Sequence, residues 1–259
     1  MTNSVATVQT DRGVGIFSIN RPEKFNCLSM SVHHLLLKAI DRFEADTKVR
    51  CILIRSEGKN FCTGADLEEV SGLRGSLEQL QEFVNLGHRA LRRLETSPLP
   101  VVVVVQGLAL AGGLELMLAA DVAFASSNAR FGDQHSHFGL VPGWGASQRL
   151  PRLIGRRRAL DLMLSARWLS AADALQIGLV NYVVDEDLLS ARALEYCEKL
   201  AAKSRGGLAL MKRLTDQGLD LPLDAALQLE QELAAPALQS TDVTEGLTAF
   251  AKRREPMFP

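Results

Sequence analysis

The chain has 259 residues, of which 47% are hydrophobic and 23% charged, as expected for one large α/β domain or two small ones with a sizeable core. Its net charge of −1 argues against nucleic acid or an anionic membrane as a partner, and no apolar run reaches the length of a membrane span. The N-terminus carries no targeting pattern, so we expect a cytoplasmic protein. The cysteines lack metal-ligand spacing and predict reduced, mostly buried thiols rather than a metal site: Cys27, Cys51, Cys62 and Cys197.

The first half of the chain alternates predicted strands and helices. Two strands flank the turn at Gly13 and predict a hairpin, and the next helix begins near Met30 with Ser29 or Ser31 as its N-cap. The run of five valines at 101–105 predicts a strand that is covered on both faces. Further strands are predicted at 49–58, 121–126 and 129–132, a turn that opens a short helix at 61–70, and further helices at 77–96 and 108–121. Parallel strands joined by helices follow from this alternation.

Beyond Gly145 the pattern is almost entirely helical. Neither half contains a repeat, a low-complexity tract or a linker. From about residue 200 onward the helices form a small C-terminal part that could pack on a neighbouring chain.

Two glycine-containing turns between a strand and a helix carry the chemical signal, 61–67 (FCTGADL) and 109–115 (ALAGGLE). Helix N-termini present unpaired N–H groups, and glycine lets a ligand approach the backbone closely. Two such turns side by side can therefore hold one oxygen anion. Gly112 and Glu115 share a helix face, which brings a carboxylate within reach of that oxygen. The alternative is that these glycines serve packing and that Glu115 only complements the helix dipole.

Five segments together resemble the enoyl-CoA hydratase/isomerase family, the crotonases, over essentially the whole chain. They are 20–29 (NRPEKFNCLS), 61–70 (FCTGADLEEV), 105–126 (VQGLALAGGLELMLAADVAFAS), 138–155 (FGLVPGWGASQRLPRLIG) and 245–258 (EGLTAFAKRREPMF). The resemblance implies an α/β fold, a crotonase-like spiral of ββα units, with a helical C-terminal trimerisation region. It implies a spiral core with the acyl-CoA site at residues 1–199 and an oligomerisation region at 200–259. The assembly implied is a homo-oligomer, a trimer or a dimer of trimers.

The resemblance also implies roles for residues in the two turns. The N–H groups of Ala65 and Gly112 would bind the thioester oxygen, and Glu115 would be the first catalytic glutamate. A carboxylate in so apolar a stretch is then explained, because it faces the reacting carbons of a thioester in a dry pocket. The neighbouring turn residues Gly64, Asp66, Leu67 and Gly113 would contact the substrate. No cofactor is implied, since coenzyme A is part of the substrate.

The pattern breaks at the second glutamate of the hydratases. Alignment of the flanking segments puts His135 at that position. A glutamate and a histidine can still exchange protons near neutral pH, so hydration remains compatible with the sequence. In an extended segment Asp133 and His137 would point the same way as His135 and compete for its role.

The remaining candidate residues each allow a second interpretation. Trp144 would narrow the acyl pocket or cover it, or else pack against the helix that begins at Gly145. Lys24 would lie near the phosphates of coenzyme A, or in solvent. Leu28 and Leu67 would line the thiol end, or belong to the core. Phe250 and Arg253 would reach coenzyme A from a neighbouring subunit, or form a basic helix end.

The sequence therefore predicts a lyase that hydrates a trans-2-enoyl-CoA to a 3-hydroxyacyl-CoA. An enoyl-CoA isomerase, which needs a single base, is the alternative enzyme. Thioester hydrolysis, decarboxylation and retro-aldol cleavage are other chemistries that the altered second position leaves open. A non-catalytic acyl-CoA-binding protein is the alternative of a different class, and the site itself must decide among them.

Overall fold

Two β-sheets organise the chain in the computed structural model, which describes residues 4–258. The larger sheet has the order β1-β2-β3-β4-β6-β9, with β1 antiparallel to β2 and the other pairs parallel. The smaller sheet has the order β5-β7-β8. The strands are β1 Ala6–Asp11, β2 Val14–Ile19, β3 Cys51–Ser56, β4 Val101–Val105, β5 Leu108–Leu110, β6 Val122–Ser126, β7 Arg130–Gly132, β8 Leu169–Ser170 and β9 Tyr182–Val184.

Successive turns of the chain place one strand in each sheet, as the predicted spiral requires. β4 lies in the larger sheet, β5 in the smaller one, and a helix follows; β6 and β7 repeat the two strands. The helices are α1 Met30–Ala45, α2 Leu67–Leu73, α3 Leu77–Glu95, α4 Gly112–Leu118, α5 Ala146–Ile154, α6 Arg156–Ser165, α7 Ala171–Gln176, α8 Glu186–Ala201, α9 Arg205–Gly218, α10 Leu223–Ala237 and α11 Thr241–Lys252. The mixed α/β spiral with C-terminal helices confirms the predicted fold class.

Local sequence signals explain the early elements. The hairpin pairs Asp11 with Val14 around its glycine turn. Ser29, rather than Ser31, caps α1 by accepting the Val32 N–H. In β4 the side chains of Val101, Val103 and Val105 pack on the core beneath α1 and α3. Val102 and Val104 face α8 on the other side, which confirms a strand covered on both faces.

The segment 108–121 was expected to be one helix, and this prediction is wrong at its start. Leu108–Leu110 is a strand that pairs in parallel with β7, and α4 begins only at Gly112. Ala111 separates the two elements, with φ 47° and ψ −118°. Pairing with a strand 22 residues away overrides the apolar pattern, which by itself does not distinguish a buried strand from a buried helix.

The C-terminal third is helical except for β8 and β9, short strands that the sequence pattern missed. The boundary expected after residue 199 falls in the last turn of α8, which ends at Ala201. No residue of α9 or α10 is fully buried, and only Ala249 is buried in α11. Within 4–258 no helix combines the length and apolarity that a membrane crossing demands.

Candidate active site

Strand-like pairing brings the two glycine turns together. Cys62 pairs with Ala109, because the Cys62 N–H donates to Leu108 O at 2.9 Å and the Leu110 N–H donates to Cys62 O at 3.0 Å. Gly64 then lies against the start of α4, where a Cβ atom on it would stand 3.2 Å from the Gly112 nitrogen. Its φ of +111° also favours glycine.

The two amides expected to bind an oxygen both belong to the wall of one cavity. Ala65 pairs with Leu28 through two hydrogen bonds, which the N–H groups of Leu28 and Asp66 donate. The N–H group of Ala65 takes no part in this pairing. Gly112 is the first residue of α4, so its N–H has no acceptor within the helix. In the described chain neither amide donates to a protein acceptor. The arrangement can therefore receive a developing oxyanion.

Ala111 holds the second of these amides in place at the cost of backbone strain. A positive φ is unfavourable for alanine, and such strain persists only where surrounding contacts impose it. The Ala111 N–H donates to Gly132 O, and Ala111 O accepts the Glu115 N–H, each at 3.0 Å. These bonds fix the start of α4 against the end of β7.

Glu115 is buried, with 1% of its surface exposed, on the first turn of α4. Its Oε1 accepts the backbone N–H groups of Trp144 at 2.7 Å and Ala146 at 2.9 Å. Its Oε2 lies 3.9 Å from Nε2 of His135. Burial raises the pKa of this carboxyl, against the opposing effect of the two N–H groups and of His135. A carboxyl that exchanges protons closer to neutral pH suits acid–base chemistry.

His135 and Asp133 form a buried pair directly after β7. Nδ1 of His135 lies 2.9 Å from Oδ1 of Asp133, which leaves Nε2 facing Glu115. Burial opposes the imidazolium, but the hydrogen bond to Asp133 and the charges of Asp133 and Glu115 outweigh it, so the pKa of His135 is raised. The two carboxylates therefore favour the protonated form of the ring.

The expectation that Asp133, His135 and His137 point the same way is wrong. The chain does not stay extended, because His135 precedes a 3-10 turn over Ser136–Phe138. Asp133 and His135 are buried, whereas His137 is exposed and stands edge-on to Phe138. His137 still lines the cavity, away from the carboxylates that hold His135.

These groups open on a cavity of about 770 Å³ with mostly apolar walls. Trp144 forms part of the wall as a buried ring packed on His33 and Phe83, so its role is not confined to packing on α5. A Cβ atom on Gly112 would come within 2.6 Å of its ring, which leaves no room for a larger residue there. Leu67 also lines the cavity.

Several residues with an expected substrate contact lie elsewhere. The side chain of Leu28 is 1% exposed in the core, and a Cβ atom on Gly113 would meet Cys62 O at 2.1 Å. Asp66 caps α2 and pairs with Arg21 at 2.7 Å. Lys24 is bonded to Glu68 at 2.5 Å. All of these contacts lie within the chain, and substrate contact by Leu28, Gly113, Asp66 and Lys24 stays a prediction.

Phe250 and Arg253 are not among the residues that line the cavity; they lie at the end of α11, where Phe250 is 84% exposed. Sequence reasoning missed the wall residues Gln134, Phe138 and Trp168. Gln134 donates through Nε2 to Ala166 O and so ties the loop after β7 to the end of α6. No local pattern marks these residues, because their positions depend on contacts across about 30 residues of sequence.

Comparison with known proteins agrees with this geometry. The family model described as enoyl-CoA hydratase/isomerase matches residues 9–259. The chain is 34% identical to the mitochondrial methylglutaconyl-CoA hydratase of Mus musculus, over 96% of this chain and 81% of that protein. It is also 34% identical to the 1,2-epoxyphenylacetyl-CoA isomerase of Escherichia coli, over 96% and 95% of the two chains. A crystal structure of an enoyl-CoA hydratase from Bacillus anthracis superposes with a TM-score of 0.94 at 34% identity, covering 98% of each chain. The protein is therefore an enzyme of the enoyl-CoA hydratase/isomerase family.

Proposed function

We propose that the protein hydrates trans-2-enoyl-CoA thioesters to 3-hydroxyacyl-CoA. The observation that carries the proposal is the 3.9 Å separation of Glu115 Oε2 and His135 Nε2, beside the free amides of Ala65 and Gly112. This separation is too long for a direct hydrogen bond, but one water molecule can bridge the two atoms. The pair thus supplies the two acid–base groups that hydration needs, although the second is a histidine.

In the proposed reaction Glu115 is the base and protonated His135 is the acid. The oxygen of the bridging water bonds to C3 of the substrate while Glu115 Oε2 takes one of its protons. The π electrons of the C2–C3 bond move toward the thioester oxygen, which the N–H groups of Ala65 and Gly112 stabilise as an enolate. His135 Nε2 then gives its proton to C2, and the proton on Glu115 passes to His135 to restore the starting state.

The cavity also favours an uncharged, apolar acyl group. Its described lining contains no lysine or arginine, and Glu115 adds a negative charge near the reacting carbons. A free carboxylate on the acyl chain would lose its hydration, and protonated His135, a cation on this lining, is already engaged by Asp133 and Glu115. The apolar wall includes Val70, Leu80, Phe83, Val84, Leu140 and Val141.

We therefore expect kcat/KM for a carboxylated enoyl-CoA such as glutaconyl-CoA to be about tenfold or more below that for crotonyl-CoA, since burial of an unpaired charge costs several kcal/mol. The matched variant is Val84→Arg, which places a cation on the cavity wall. It should reduce the difference in kcat/KM between crotonyl-CoA and glutaconyl-CoA. Equal rates for the two substrates in the wild type would contradict an apolar acyl site.

We further propose that α9, α10 and α11 pack on other copies of the chain, as a trimer or a dimer of trimers. Exposed apolar side chains on these helices support this, and burying them stabilises an assembly: Met211, Leu223, Leu227, Leu247 and Phe250. Phe250 and Arg253 would then be available to a neighbouring site. Sedimentation of the full chain should give three or six copies, and a monomer at micromolar concentration would contradict the proposal.

The deciding experiment is mass spectrometry of a panel of enoyl-CoA and acyl-CoA esters incubated with the protein in heavy water. A product heavier by one water is expected. Deuterium uptake without added water would replace the proposal with an isomerase. A free acid together with free coenzyme A would replace it with a thioester hydrolase. Tight binding without any change would favour a non-catalytic acyl-CoA-binding protein.

A further inference from the structure

Asp133 is a fully buried carboxylate that does not line the cavity. Its Oδ1 lies 2.9 Å from His135 Nδ1 and also accepts the His135 backbone N–H at 3.4 Å. Its Oδ2 has no hydrogen-bond partner within the described chain. A buried carboxylate oxygen without a partner is costly, so packing alone does not account for this residue. Among the described residues, the hydrogen bonds of its side chain are with His135 alone.

We propose that Asp133 is a positioning residue, which accepts the Nδ1–H of His135 and so directs the proton on Nε2 at Glu115 and the reacting carbons. The proposal rests on the proposed hydration for its catalytic consequence, but not for the contact itself. An imidazole whose Nδ1–H is held by a carboxylate has only Nε2 left for proton transfer. Asp133 thus fixes the direction in which His135 gives its proton.

Charge favours the same arrangement. The charged groups that act on the His135 ring are Asp133 on its own segment and Glu115 on α4. From α6, the Leu164 carbonyl accepts a hydrogen bond from the Ser136 hydroxyl, and the charged groups found to act on the His135 ring include none from this helix. Two carboxylates therefore flank one imidazole, and the proton is held between them. Without Asp133 only Glu115 would favour the imidazolium.

His137 provides the matched control. It lies two residues from His135 and lines the same cavity, but it is exposed and contacts the Phe138 ring at 4.9 Å rather than a carboxylate. A change at His137 alters a histidine of the cavity without touching the pair. An effect specific to Asp133 can thus be separated from a general disturbance of the loop.

The test compares Asp133→Asn, Asp133→Glu and His137→Asn with the wild type. The first readout is the NMR titration of His135 in the free enzyme with ¹³C-labelled histidine, of which the chain has five. In Asp133→Asn the pKa of His135 should fall by about one unit, since a carboxylate neighbour is lost. Asp133→Glu should recover part of the shift, and His137→Asn should leave it unchanged. An unchanged His135 titration in folded Asp133→Asn would overturn the proposal.

The second readout is the pH profile of turnover. Because His135 acts as the acid, activity is lost as pH rises through its pKa, so Asp133→Asn should move the alkaline limb to lower pH. We expect kcat to fall at least tenfold with KM within about twofold, since general acid–base catalysis is worth about 10²–10⁴-fold in full. A large rise in KM with an unchanged profile would overturn the positioning role. If no hydration is found but the NMR shift occurs, the proposed reaction fails while the contact stands.

Discussion

Two buried histidines, His135 and His33, have pKa values that are shifted in opposite directions. His135 stands between two carboxylates, and its pKa is raised. His33 on α1 has neither ring nitrogen hydrogen-bonded to a group of the described chain, and burial lowers its pKa to about 4. The partners, rather than the burial that both share, determine whether the ring holds a proton.

The two rings are linked by a series of contacts through Trp144 and Glu115. Trp144 packs edge-on against His33 at 4.7 Å, and its backbone N–H donates to Oε1 of Glu115. Oε2 of the same carboxylate faces His135. His33 therefore supports the wall from behind, while His135 faces the cavity. The same residue type thus packs against a wall residue in one place and, in the proposed reaction, transfers a proton in another.

Glu115→Gln tests the proposed catalytic pair and should have the largest effect. It removes the carboxylate that serves as base, so we expect kcat to fall by about 10²–10⁴-fold with substrate affinity nearly unchanged. Steady-state kinetics and calorimetric titration with a saturated acyl-CoA measure the two effects. Near-normal turnover would move the chemistry to His135 or its neighbours.

His135→Gln should have the next largest effect. Glutamine cannot hold an acidic proton at this position, and we expect kcat to fall by about 10²-fold. His33→Leu is the control, because His33 does not line the cavity, and it should leave kcat within about twofold. Equal losses in the two variants would mean that His135 matters only for packing.

His33→Leu should instead change how stability depends on pH. The folded pKa of about 4 is below the ordinary value of about 6.5, so the unfolded state binds more protons between these values. Because of this group, the free energy of unfolding of the wild type then falls by about 2 kcal/mol as pH falls from 7 to 5. Above pH 6.5 the full contribution of neutral His33 to the stability of the fold is present. Urea unfolding at both pH values measures the difference between the two proteins.

The exposed neighbour His34 supplies the comparison for that experiment. His34→Gln should keep most of the pH dependence of the wild type, because burial is the larger cause of the low pKa of His33 and the nearby His34 the smaller one. Glu115 and His135 also titrate, but they are present in all three proteins and cancel. If His33→Leu keeps the full pH dependence, His33 is not the group that loses stability in acid.

Sequence patterns predicted much of the fold and one half of the candidate site. The hairpin, α1 and its cap, and the valine strand follow from contacts between near neighbours along the chain. The glycine turns and Glu115 were visible for the same reason, since helix starts and glycine turns depend on local backbone preferences. The resemblance to a family placed His135 opposite Glu115, where the two side chains do approach each other.

Tertiary structure alone decided how these parts act. The strand at Leu108–Leu110 exists because β7 pairs with it, and Trp144 is a fixed wall because α1 and α3 supply His33 and Phe83. The bend after His135 separates it from His137 and leaves Asp133 as its partner. Burial and charge at these positions arise from groups far apart in sequence, so the protonation of His33 and His135 could not be inferred from local pattern. The sequence by itself determined which residue types are available for chemistry, and the folded packing determined which of them lie together at the cavity, because burial and pairing depend on contacts between distant segments.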